Sequence, residues 1–173
     1  MSPSARPFTR SPPCCRPDRL GRISCPAVTT PCPLPDLPQN SELLVFLRGQ
    51  ASPPRLTDGF DDYDGFELHS HPDLISRLEQ LAPQWPILPV YGVAVLAYEG
   101  VAAVVALSMD HLLFRLPAVP SDLKQATPIP PLTETGWHAV SAWQSDLPSA
   151  QGVQRLSALA RAALDYARDL ATQ

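Results

Sequence analysis

Two histidines follow a run of acidic side chains: Asp58-Gly-Phe-Asp-Asp-Tyr-Asp-Gly65 is succeeded by His69-Ser70-His71. Imidazole nitrogens and carboxylate oxygens are the donor set of a catalytic divalent metal that keeps one position open for water. Residues at i and i+2 share one face of a strand, so His69 and His71 with Asp61, Asp62 or Asp64 would suit a metal-dependent hydrolase. The pair has no identifiable third ligand. The acidic run also invites a calcium loop. With Gly65 at the sixth position, however, Phe60 falls first and His71 twelfth, where carboxylates are required. A solvated acidic turn is the simpler reading of 58–64.

Other candidates for chemistry stand alone. His111 opens an apolar run, His138 follows Trp137, and Glu99 occupies a turn where a general base would lack the burial that tunes it. The sequence contains no G-x-S-x-G, no P-loop, no G-x-G-x-x-G and no H-E-x-x-H. Cys14, Cys15, Cys25 and Cys32 include no C-x-x-C pair, and adjacent cysteines rarely ligate one metal together, so they read as unpaired thiols. Catalysis is therefore the lesser reading, and no catalytic, metal or cofactor residue is assigned.

The chain has 173 residues, enough for one ordinary domain. Ten of its 22 prolines, all four cysteines and five arginines fall before residue 40. Proline removes backbone donors and breaks helices, so residues 1–40 are expected to form a disordered arm with local polyproline II. The arm has no apolar core of the length a secretory signal needs. It carries a net charge of +3 and residues 41–173 a net charge of −7. An acidic body without a basic stripe argues against nucleic-acid binding, whose affinity comes mainly from clustered Lys and Arg. The body is also free of cysteine, which fits a reducing compartment such as the cytoplasm.

The elements of the body follow from its patterning. Glu42–Arg48 is a short apolar run that periodicity leaves open between strand and helix. Gly49–Gly65 reads as a loop, and Phe66–His69 as a short strand. Ser70 or His71 then caps a helix with Pro72 in its first turn, and Leu74, Ile75, Leu78, Leu81 and Ala82 form one apolar stripe. Pro83 ends it, and Gln84–Pro89 reads as a connector. Ser121 caps a helical turn, and Pro128, Pro130 and Pro131 predict an extended loop. Gly136–Trp143 alternates as a late strand. A long terminal helix begins near Asp146–Ser149, with a seam of Val153, Leu156, Ala160, Ala163, Ala167 and Leu170.

The longest apolar block, 91–116, sits between these segments. From Ile87 to Met109 the only charged residue is Glu99, and about 20 apolar residues can cross a bilayer, so membrane association through 87–109 is a possible reading. Against it, Glu99 would lie near the bilayer centre at a cost of roughly 3 kcal/mol. Glu99-Gly100 also separates two β-branched runs as a hairpin turn does. Met109-Asp110 marks a second turn. The block is expected to be a three-stranded antiparallel meander, with its first two strands apolar on both faces and covered on both.

On these residues the body resembles the YjbR/MmcQ-like and TfoX N-terminal-like domains. Val90-Tyr91-Gly92 stands where that family has Met-Phe-Gly, and the hairpin of Ala94–Ala106 turns at Gly100 as the family's first hairpin does. His111–Pro117 is similar to its third strand, and Trp137 opens its last one. The resemblance covers about residues 72–171, preceded by an irregular segment at 41–71. It implies an α+β fold: a small antiparallel sheet, a meander plus a later strand, covered by an N-terminal helix and a long C-terminal helix. It implies Tyr91, Gly92, Gly100 and Trp137 as structural positions. It also implies a non-enzymatic interaction or regulatory domain whose partner is an unidentified protein or small ligand, with no membrane and no cofactor.

Overall fold

The computed structural model describes residues 34–49, 70–133 and 135–173. Most of the arm with its four cysteines, the acidic run at 58–64, the strand expected at 66–69 and His69 lie outside the described residues.

The apolar block folds as expected, into consecutive antiparallel strands. β1 (Leu88–Val90), β2 (Val93–Tyr98), β3 (Val101–Leu107), β4 (His111–Arg115) and β5 (Trp137–Ser141) lie in chain order across one five-stranded sheet. Two turns make this possible. Tyr91 and Gly92 have φ of 51° and 77°, and Glu99 and Gly100 have 46° and 84°. Two successive positive φ values are the backbone of the two-residue hairpin turn whose twist matches that of its strands. These turns join β1 to β2 and β2 to β3, and a third connection through Ser108, with a φ of 63°, carries the chain on to β4 with no covering element in between.

All seven residues of β3 are buried. Its alternate side chains enter two different cores, which is why no polar alternation is visible in the sequence. On one face, Ala94, Leu96, Val104, Ala106, Leu112, Phe114 and Val140 pack against α2 (Pro72–Leu81) and α4 (Ser149–Ala171). On the other, Val93, Val95, Val105, Leu113, Trp137 and Ala139 pack against α1 (Ser41–Arg48), Leu34 and Leu132. A fully buried Val or Leu side chain contributes roughly 1.5–3 kcal/mol, so this doubly covered sheet dominates the stability of the body. Among the described residues no helix is long and apolar enough to cross a membrane.

Four local expectations are corrected. Residues 34–40 belong to the body rather than the arm, since Leu34 and Asn40 are both buried in it. Glu42–Arg48, left open by its periodicity, needs no correction: it lies in a helix with Leu43, Leu44 and Leu47 on its buried side. The end of the 84–89 connector pairs as β1, with Leu88 opposite Val95; Pro89 is tolerated because β1 is the sheet's edge. The loop at 128–131 contains a short helix, α3 (Pro130–Thr133), since proline is compatible with a first helical turn. The helical turn expected after Ser121 stops at a single turn, closed by the Leu123 amide on the Pro120 carbonyl at 3.3 Å, and does not continue through Lys124 and Gln125. Instead Lys124–Ala126 lies along β5, with the Ala126 amide donating to the Ala139 carbonyl at 3.1 Å.

Candidate functional site

The polar residues singled out in the sequence are mostly engaged in building the fold. His71 caps α2: its Nδ1 accepts the Asp73 amide at 3.2 Å, so the histidine serves a helix start. His138 Nε2 lies 2.9 Å from the Leu116 carbonyl. Glu99 is exposed at the tip of the β2–β3 hairpin. Among the described residues no group of three His, Cys, Asp or Glu side chains stands close enough to hold a metal.

Two buried polar side chains, not anticipated from the sequence, are stitched into the central hairpin. Asn40 ends a 3-10 turn, Pro38–Asn40, and its side chain bonds Gly100 and Ala102. Ser70 Oγ accepts the Ala94 amide at 2.7 Å and donates to the Ala106 carbonyl, linking β2 to β3. Asn40 falls at the end of the segment read as a disordered arm and Ser70 at a helix start, and neither position carries a periodic signal of burial.

Ser141, Asp110 and His111 also come together, the residue types of a nucleophilic triad. The geometry is different. Ser141 Oγ donates directly to Asp110 Oδ1 at 2.6 Å and accepts the Trp143 amide at 3.1 Å. A triad needs an imidazole between hydroxyl and carboxylate. Here the carboxylate takes the hydroxyl proton itself and ties β5 to the β3–β4 turn. Trp143 closes the same end of the sheet, its indole Nε1 donating to the Met109 carbonyl at 3.2 Å beneath the Arg77 guanidinium.

Arg115 is 8 % exposed, and its Nε and Nη1 have no hydrogen-bond partner among the described residues. The guanidinium lies 5.7 Å from the Trp137 ring centre, which replaces part of its lost hydration. Burial pushes its pKa below the ordinary guanidinium range, while Tyr166 and Glu42 pull it upward.

The family-motif positions have structural roles. Tyr91 is buried in the β1–β2 turn, where its hydroxyl accepts Arg48 Nε at 2.6 Å. Trp137 is buried beneath Arg115. Gly100 forms the second hairpin tip against Pro35.

Among the described residues, a concave face around Trp85 is not consumed in this way. Pro83 and Ala82 turn the chain out of α2, and the Trp85 amide donates back to the Ala82 carbonyl at 3.0 Å. This holds the Trp85 indole half-buried against Tyr98, with ring centres 5.9 Å apart and planes tilted by 50°. Trp85 thereby stands as a ridge between two adjoining hollows. One, of about 460 Å³, is lined by Ile75, Glu79, Ala82, Pro83, Trp85 and Ile87. The other, of about 190 Å³, reaches Gln80, Gln84, Ser157 and Arg161. Glu79 is the charged residue of the first hollow, and Arg161 that of the second. A separate hollow of about 500 Å³ beside α1 and α3 is lined by Val45, Phe46 and Pro131, with Glu42 at its edge.

The chain matches no family model, no curated protein and no solved structure.

Proposed function

We propose that this chain is a non-enzymatic interaction domain that takes an extended peptide segment of another protein on the face formed by α2 and Trp85. The resemblance to YjbR/MmcQ-like and TfoX N-terminal-like domains implies only a non-enzymatic interaction or regulatory domain; the peptide and its seat are read from the surface. The observation that carries it is the placement of Trp85 as a fixed, half-exposed ridge between two hollows. Interface hot spots are enriched in tryptophan seated beside pockets, because one rigid side chain excludes much water at little entropic cost. The cysteine-free body favours work in the cytoplasm.

Selection of a displayed random-peptide library on the full chain tests this. Peptides enriched on the wild type and lost on Trp85→Ala, with the circular dichroism of the variant unchanged, support it. Glu79→Lys, an exposed change on α2, provides the second variant should Trp85→Ala fail to fold. Absence of enrichment, or equal enrichment on both folded variants, overturns it.

A further inference from the structure

We infer that the segment bound at Trp85 is a proline-rich stretch in polyproline II conformation carrying an arginine at the end that reaches Glu79. The inference rests on the interaction reading above and names its ligand class.

Three observations converge on that chemistry. The first is shape: two hollows share Ala82, Pro83 and Trp85, so the indole divides one groove into two successive seats. A polyproline II helix has three residues per turn and presents pairs of side chains in succession along each face, which suits a ridge flanked by two seats. Proline rings are rigid and apolar, and they stack on an indole without needing deep pockets.

The second is hydrogen bonding. Polyproline II has no internal hydrogen bonds, so its carbonyls seek donors from whatever they dock on. Arg161 lines the second hollow and holds only a long bond of 3.4 Å from Nε to the Ser157 carbonyl. Arg161 offers N–H donors that the protein leaves largely unused, and the carbonyls of a proline-rich backbone are acceptors that match them.

The third is charge. Glu79 is exposed on α2 at the first hollow and forms no ion pair among the described residues. A guanidinium can engage a carboxylate through two parallel bonds, which fixes orientation as well as adding attraction. With Glu79 at one end of the groove and Arg161 at the other, the ligand has one favoured direction. Addition of a β-strand at the β1 edge is the geometric competitor on this side of the sheet. Pro89 in β1 lacks the amide that such pairing needs, and a proline at an edge is a standard block to it.

Fluorescence anisotropy with the full chain decides the matter. The probe is a labelled nonapeptide with one terminal arginine and proline at most other positions. Controls replace its arginine by glutamate or its prolines by alanine. Saturable binding is expected, weakened roughly 30-fold by Trp85→Ala as for a hot spot. Because the Glu79 pair is exposed, Glu79→Gln should weaken binding only about 2- to 5-fold. Glu79→Arg should reverse the preference, so that the glutamate peptide binds better than the arginine peptide. Failure of the arginine peptide to bind, equal binding of the alanine control, or an unchanged preference in Glu79→Arg overturns the inference. If the library selection still enriches peptides that depend on Trp85 but lack proline and arginine, only the ligand class has failed. If it enriches none, the interaction reading has failed as well.

Discussion

The side-chain amide of Asn40 donates to the carbonyl of Gly100 at 2.7 Å, joining residues sixty positions apart. The same amide donates to Pro35 at 2.9 Å, and Oδ1 accepts the Ala102 amide at 3.0 Å. The contact falls beside the register shift at Leu96/Ala97, where β3 carries one more residue than β2. Strand pairing is irregular there, and Asn40 satisfies backbone groups near the tip. Asn40→Leu preserves volume and leaves these groups buried without partners, at about 1–3 kcal/mol for each lost donor or acceptor. Urea unfolding should show a loss of at least about 2 kcal/mol on this account, with faster exchange of the Ala102 amide. An unchanged midpoint would show the network to be incidental.

The turn that Asn40 holds supports a pair of predictions of opposite sign. Gly100 has a φ of 84°, and a Cβ there would lie 2.7 Å from Pro35 Cγ. Gly100→Ala therefore meets backbone strain and a clash together, and should cost more than about 1 kcal/mol. Glu99 has a φ of 46° without being glycine. Asparagine tolerates that region better and leads the favoured Asn-Gly pair of such turns, so Glu99→Asn should stabilise by a few tenths to about 1 kcal/mol. Thermal unfolding of the two variants checks both signs, and a fall in Tm for Glu99→Asn would refute the second.

The apolar periodicities of α2 and α4 and the Glu99-Gly100 turn made most of the architecture legible, because each has a repeating or local cause. The stripe Leu74, Leu78 and Leu81 and the seam Leu156, Ala160, Ala163 and Ala167 are buried as their spacing requires. β1 was hidden by Pro89, which disqualifies a central strand but not an edge. α1 was undecidable because eight residues span little more than two turns. The Trp85 face was not legible at all. It arises when the chain doubles back after Pro83 and lays an indole beside Tyr98, a contact between residues on different elements that leaves no local pattern. His71 carries two readings in the sequence, a ligand type and a cap for α2, and it caps the helix as its place before Pro72 suggests. Residue identity alone does not separate the two roles.

Arg115 should be more useful to the fold as a neutral residue. Its Nε and Nη1 are buried without acceptors, and its contact with Trp137 returns only part of the lost hydration. Arg115→Met keeps the aliphatic stem over Trp137 and removes the charge. A gain of about 1 kcal/mol in urea unfolding is expected, as when buried charges are replaced by apolar side chains of similar volume. The guanidinium pKa is lowered in the folded state. The penalty is therefore present in full below the folded value and is relieved only as pH rises through it, in the strongly alkaline range. The difference between variant and wild type should consequently stay constant from about pH 5 to 9. A destabilised variant, or a difference that varies across this window, would show that Arg115 has an acceptor.

Ser141 tests whether the meeting of Ser141, Asp110 and His111 has chemical consequence. Its side chain is 1 % exposed, and its hydroxyl is committed to the Asp110 carboxylate. A serine becomes nucleophilic when a base such as an imidazole takes its proton while an electrophile approaches from the open side. Neither condition holds, since the hydroxyl is held by a carboxylate, which is a weak base, and Ser141 is itself buried. Incubation with a fluorophosphonate should leave the intact mass of the chain unchanged. Ser141→Ala should instead register as lost stability, about 1–3 kcal/mol for the unpaired Asp110 acceptor and Trp143 donor. The Trp143 fluorescence would then redshift as the indole loses its anchoring at the β3–β4 turn. Covalent labelling at Ser141 would place a reactive serine at this end of the sheet and overturn the structural assignment.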